Sequence, residues 1–340
     1  MPTVAGLAAG GILVCLCLYA LTGGADFGAG IWALTNRGPR ADARRRLIVG
    51  AMGPVWETNH IWVVVAVVIL FAGFPKAYAL VSTALFVPLT LVLAGIVVRG
   101  SAFAFHAHRV HDRGEAGRWG SVFAGASLIT PFLLGDVLGA VSTGRIRAAE
   151  APLTESSGAW LAPFPLSVGM LTLACSAYLA AVYLTLETED GRLADDFRSR
   201  ALGSLAFVSL LSVAVPLLSR GGAPEFQRAL LGGRFAVLAA ANGLAALGAA
   251  AALLLRAFRP ARMCAAAQIV VLLAGWGLAQ YPYLVRPELT IAEGAASPGM
   301  LRLLLTVLAA GGALLFPAIL LLFRVFKREA FRRRRPPGYG

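Results

Sequence analysis

Residues 47–72 read LIVGAMGPVWETNHIWVVVAVVILFA. An apolar run of this length matches the roughly twenty residues a helix needs to cross a hydrocarbon core about 30 Å thick. Its centre nevertheless carries Glu57, Thr58, Asn59 and His60 in four consecutive positions. Counting about ten residues from Leu47 at about 1.5 Å each puts Glu57 roughly 15 Å deep, near the bilayer midplane. Glu57 and His60 are three apart, and Trp56 and His60 four apart, so each pair shares a helix face. A charge at such a depth costs about 2.5–3.5 kcal/mol on insertion scales and needs a reason.

Runs of the same kind lie on both sides of this segment. Apolar stretches at 6–34, 77–98, 119–141, 162–186, 202–219, 234–256, 263–285 and 300–325 bring the expected total to about nine spans. Gly73 with Pro75, Gly221 with Pro224, and the arginines of 37–46 and 256–262 mark breaks between them. The chain of 340 residues is 58% hydrophobic and 14% charged, with a mean hydropathy of +0.75, too apolar for a fold in water. No stretch between apolar runs exceeds about twenty residues, which leaves no room for a large soluble domain. The expected architecture is all-α and polytopic, with one transmembrane helical domain over 1–330 and a short basic tail over 331–340.

The net charge of +13 comes from basic residues clustered between apolar runs, without the aromatic-rich basic module of a nucleic-acid binder. Summed by connecting segment, Lys and Arg divide 22 to 8 between the two sides. The positive-inside rule then puts the N-terminus outside and the C-terminus in the cytoplasm. The tail KREAFRRRR acts as a stop signal for the last helix, with a further attraction for anionic lipid. MPTVAGLAAG has no positively charged n-region, so the first run is expected to be a retained span. Cys15, Cys17, Cys175 and Cys264 each sit in an apolar run without a CxxC or a Cys/His cluster, and read as small hydrophobes.

Few ionisable groups interrupt the spans. Asp26, in LTGGADFGAGIW, lies toward the cytoplasmic end of the first. It is either solvated there, paired with the Arg44–Arg46 cluster, or the mouth of a proton path. Burial among hydrocarbon disfavours the charged form of a carboxyl, which suits Glu57 to taking up and releasing protons; the alternative is a buried Glu satisfied by Asn59 or a neighbouring helix. Asp136 reads as an interfacial end charge. Gln280, Tyr281 and Tyr283 read as part of an interfacial aromatic belt. His106, His108 and His111 fall in an expected basic loop and lack the companions of a metal site. Bis-histidine haem ligation needs two facing intramembrane histidines, and His60 is the one that qualifies. No Walker motif, dinucleotide fingerprint or Ser/His/Asp set is present.

Four strings, GGADFGAGIW at 23–32, GPVWETNHIW at 53–62, RGSAFAF at 99–105 and GWGLAQYPYL at 275–284, occur in this order. Together they resemble subunit II of cytochrome bd-type quinol oxidases, the family that includes the cyanide-insensitive oxidases. The resemblance implies a haem-free chain of a bacterial inner membrane, paired with a larger subunit I. That partner carries haems b and d, oxidises quinol and reduces dioxygen to water. It also implies that acids at Asp26 and Glu57 are steps of a cytoplasmic proton path, with Trp56 near the subunit interface and Asn59 and His60 tuning Glu57. Metal and cofactor are expected to be absent from this chain, apart from a structural quinone or lipid; small accessory subunits complete the expected partners. Where relatives carry an acid and Arg after the RGxAFxF pattern, this chain reads AFAFHAHR. Two other readings of the same residues are a proton-coupled secondary transporter that uses Glu57 and a structural chaperone for a haem protein.

Overall fold

A computed structural model of the chain describes residues 3–52, 59–108, 113–147 and 158–333. Thr3 accepts a hydrogen bond from Gly6 N at 3.1 Å and caps α1 (Val4–Leu34). At 31 residues this helix is about 46 Å long, more than enough to cross a bilayer. Gly38, with φ +96°, turns the chain into α2 (Ala41–Met52). After the polar segment come α3 (Ile61–Gly73) and α4 (Pro75–Ala84), whose axes differ by 117°. Phe74 and the N1 proline Pro75 make that bend, because proline cannot continue the ladder of α3 but can start a new helix.

The remaining elements are α5 (Phe86–His108), α6 (Arg113–Ala140), α7 (Pro163–Leu184), α8 (Gly191–Gly222), the short α9 (Pro224–Leu230), α10 (Phe235–Leu254) and α11 (Phe258–Gln280). A two-stranded antiparallel hairpin, β1 (Tyr283–Val285) and β2 (Leu289–Thr290), follows, with Tyr283 opposite Thr290. The one-turn α12 (Ile291–Gly294) and the long α13 (Pro298–Arg333) close the chain. Among the described residues eight helices are long and apolar enough to span a membrane, and nine spans result if the bent α3–α4 pair is taken as one.

The all-α polytopic architecture is as expected, but one span differs from the reading of the sequence. Of the expected helix over 47–72, α2 and α3 are described and residues 53–58 between them lie outside the described residues; α3 itself, at 13 residues, is about 20 Å long. The expected span over 77–98 begins as α4, set across the direction of α3, and the crossing helix runs over Phe86–Phe105. Hydropathy failed there because it registers apolar content and not direction. α13 runs to Arg333, so the start of the basic tail is helical, and residues 334–340 lie outside the described residues.

α1 is the hub, packed against α3, α6, α7, α11 and α13. Toward the arginine-rich end, Ala29, Ile48, Phe123, Leu184 and Phe197 form one buried cluster. Toward the other end, Ala8, Ile69, Phe74 and Leu301 form another. The largest cluster joins α7, α8, α10 and α11 through Tyr178, Val182, Val208, Leu253 and Ile269. Val67, Phe71, Leu93, Leu210, Val213, Leu247 and Leu303 are exposed, as a surface solvated by acyl chains requires.

Close helix approach depends on glycine at two positions of GGADFGAG. A Cβ on Gly28 would overlap the backbone carbonyl of Ser176 on α7, and one on Gly30 would overlap the Ser127 hydroxyl on α6. By contrast, a Cβ on Gly10 would meet nothing within 4 Å. Gly28→Ala is therefore expected to destabilise the fold by about 1–3 kcal/mol, while Gly10→Ala is neutral; thermal melts of the two purified variants in one detergent check this.

Candidate functional site

GGADFGAG puts Asp26 and Phe27 on the buried face of α1, held against α6 and α7 by the glycines on either side. Asp26 Oδ2 lies 2.9 Å from Arg99 Nη1, with the two side chains 5% and 1% exposed. Arg99 belongs to α5, and the RGSAFAF stretch that it opens is helical. Its remaining donors are occupied: Nε donates to Ser127 Oγ at 2.9 Å and Nη2 to the Asp26 backbone carbonyl at 3.2 Å. Ser127 in turn donates to Phe123 O at 2.7 Å. The guanidinium carbon sits 4.8 Å from the ring centre of Phe27 and 4.7 Å from that of Phe123, so cation–π attraction adds to the ion pair in a low-dielectric setting.

Neither carboxylate oxygen of Asp26 has an aligned hydrogen bond among the described residues. The contact with Arg99 is an ion pair by distance, and it leaves lone pairs that suit a water or a transferred proton.

Directly beside this pair stands His60, at the N-terminal end of α3. Tyr19 Oη and His60 Nδ1 are 3.2 Å apart, and the Phe27 and His60 rings are 6.0 Å apart. Tyr19 also meets the edge of Phe27 at 6.3 Å. The end of the ETNH string and the ADF string, more than thirty residues apart in sequence, thus share one buried spot. Asn59 is buried next to it. Glu57 and Trp56 lie outside the described residues.

Several sequence expectations change here. Asp26 is neither solvated nor paired with the Arg44–Arg46 cluster; it is eight residues, about 12 Å, inside the end of α1. Arg44 instead donates Nη1 to Asp196 Oδ2 at 2.8 Å and Nε to Asn36 Oδ1 at 2.8 Å. Arg99, counted from the sequence among the charges of a cytoplasmic loop, is a core residue. The side chains of His106, His108 and His111 lie outside the described residues.

Asp136 is not an interfacial end charge: it is wholly buried in α6, and neither of its oxygens has a partner among the described residues. Gln280 is buried too, not part of an interfacial belt. Its Oε1 accepts from Ser142 Oγ at 3.1 Å, and Trp276 Nε1 donates to the same hydroxyl at 3.0 Å. This network fastens α11 to the end of α6 beneath the hairpin, where Arg286 donates to the carbonyls of Ala279 and Tyr281.

Tyr19, Arg99 and Ser127 are the site residues that sequence reasoning missed. The available sign was an arginine preceded by thirteen uncharged residues, FVPLTLVLAGIVV, and followed by the apolar AFAF. Among the described residues no group of three His, Cys, Asp or Glu could hold a metal ion. His60 shares its Nδ1 with Tyr19, and the described side chains provide no facing histidine to complete a haem ligand pair.

Arg99→Gln leaves the Asp26 carboxylate buried without its counter-charge and is expected to cost about 3–5 kcal/mol. The double replacement Asp26→Asn with Arg99→Gln is expected to recover part of that loss; a double-mutant cycle on thermal stability reads the coupling.

The sequence profile described as "Cytochrome bd terminal oxidase subunit II" matches residues 5–326. The chain is 27% identical over 217 residues to the cytochrome bd ubiquinol oxidase subunit 2 of Bacillus subtilis, covering 61% of this chain and 63% of that protein. It is 29% identical over 208 residues to the cytochrome bd-I ubiquinol oxidase subunit 2 of Escherichia coli, covering 59% and 53%. These matches take in between about half and two thirds of the relatives' own lengths. A putative cytochrome bd menaquinol oxidase subunit II of Bacillus subtilis is 24% identical over 92% of both chains. In fold, the chain superposes on one from the bd oxidase structure of Geobacillus thermodenitrificans with a TM-score of 0.78, at 24% identity, covering 95% of this chain and 98% of that one.

Proposed function

The chain belongs to the cytochrome bd terminal oxidase subunit II family, and on that premise we propose that it is the haem-free half of a membrane quinol oxidase. In this reading residues 1–330 form a single helical domain in a bacterial inner membrane. The domain scaffolds a haem-bearing subunit I that oxidises quinol and reduces dioxygen to water. Haems b and d reside in that partner and supply the electron chemistry. Small accessory subunits and bound lipid complete the assembly. The match over 5–326 carries the reading, because it spans the helices that position every residue of the site.

What this chain contributes is proton handling. Reducing dioxygen to water consumes protons, and a bundle of apolar helices conducts none unless polar groups breach it. Asp26 and Glu57 are our candidates for that role. Asp26 lies about 12 Å from the arginine-rich end of α1, which the positive-inside rule puts in the cytoplasm. Arg99 offsets its charge inside the bundle. The Tyr19–His60 hydrogen bond ties the Asp26 helix to the segment that carries Glu57, three positions before His60. Glu57 is the carrier nearest the midplane by sequence depth, Asn59 and His60 tune it or hold water beside it, and Trp56 packs toward subunit I. The transporter reading is not carried forward, since the family membership accounts for the same acids.

Glu57→Gln in the assembled complex is expected to keep the haem absorption bands while quinol-driven oxygen uptake falls by about two orders of magnitude, because an amide cannot relay protons. Unchanged turnover would remove Glu57 from the path. Gentle purification of a tagged chain should also bring down a membrane subunit with haem bands; recovery of the chain without haem would count against the oxidase assembly itself.

A further inference from the structure

We propose that an anionic diacyl phospholipid binds between α1, α7 and α8, with its phosphate on Arg200. A groove of about 390 Å³ is lined there by Trp32, Met170, Leu173, Arg200, Ser204 and Phe207, among others. Met170 and Phe207 are 39% and 44% exposed, so the groove opens on the outer surface of the bundle. Its walls are apolar except at one end, where the guanidinium of Arg200 lies 5.2 Å from the ring centres of both Trp32 and Phe197. Trp32 is itself fixed, since its Nε1 donates to Ala177 O at 2.8 Å.

Two features of Arg200 call for an anion. Its Nη1 is buried and has no hydrogen-bond acceptor among the described residues, a costly state for a charged donor. The nearby carboxylate cannot serve it, because Asp196, one turn earlier, is held by Arg40 through Nε at 2.8 Å and Nη2 at 2.5 Å and by Arg44 at 2.8 Å. Three guanidiniums around one carboxylate leave a surplus of positive charge.

The level is also right for a headgroup. Arg200 stands where the polar GRLADDFRSR gives way to ALGSLAFVSLLSVAVPLL. That apolar stretch, 18 residues long, is about 27 Å as helix, close to the hydrocarbon thickness. A phosphate oxygen satisfies the guanidinium with a charge-assisted bond, and an acyl chain fills the groove over Leu173 and Phe207. A neutral quinone would fill the same space and leave the charge uncompensated.

The test uses the full-length chain in the membrane complex with which it is isolated, delipidated in detergent and supplied with phosphatidylglycerol or phosphatidylcholine. Native mass spectrometry reads the lipid retained, and thermal melts read its effect. The wild type is expected to retain phosphatidylglycerol in preference to phosphatidylcholine and to melt higher with it. Arg200→Gln should lower phosphatidylglycerol retention about five-fold, and Arg200→Lys, which keeps the charge, should restore part of it. Gly203→Leu supplies a control for folding, since a Cβ there meets nothing within 4 Å; its side chain should occupy the groove and displace the lipid. Equal retention of the two lipids by the wild type, unchanged phosphatidylglycerol retention in Arg200→Gln, or a quinone extracted from the wild type and lost in Gly203→Leu would each overturn the proposal.

Discussion

A guanidinium and a carboxylate facing each other inside a bundle of apolar helices set the terms for everything near them. Either charge alone would cost several kcal/mol in hydrocarbon, and the pair is tolerable only if the two helices come close and the leftover donors are satisfied. Arg99 meets this condition with Asp26, Ser127 and the Asp26 carbonyl, and its flat faces lie against Phe27 and Phe123. The missing side chains of Gly28 and Gly30 let α1 settle onto α7 and α6 closely enough for that geometry. Glycines, charges and aromatic rings of the GGADFGAG and RGSAFAF strings are therefore parts of one packing solution.

From this centre the bundle is organised toward two unlike ends. At one, Asp196 gathers Arg40 and Arg44 and joins the loop after α1 to the start of α8. At the other, the hairpin, Gln280, Trp276 and Ser142 form a network of neutral hydrogen bonds, and Ala296 N reaches Gly73 O at 2.8 Å to tie the bend between α3 and α4 to the start of α13. At the first end Arg40 and Arg44 converge on Asp196 one turn before Arg200. That cluster links the topology expected from arginine counting to the lipid seat inferred at Arg200.

The buried polar groups also separate the roles assigned within the oxidase family. Asp26 has a fixed counter-charge, whereas Asp136 is enclosed without any partner among the described residues. The departure at AFAFHAHR lies apart from the Arg99 pairing, whose described partners are Asp26 on α1 and Ser127 on α6.

How much could be read without coordinates follows from which forces are local. Apolar run length fixed the all-α membrane class and nearly every span, since a helix must hide its own backbone in lipid. Gly73 and Pro75 announced the bend, and the order of four strings announced the family. Hydropathy could not tell that α4 departs from α3 by 117°, nor that Arg99 belongs to the core and not to a loop, because an arginine near a span end looks the same whether it points to water or to a buried acid. Asp136 and Gln280 were misplaced for the same reason. Which charge meets which is decided by the approach of α1, α5 and α6, helices distant in sequence whose contact exists only after folding. The sequence alone therefore determined what must lie in the membrane, and tertiary packing decided where its few polar side chains find one another.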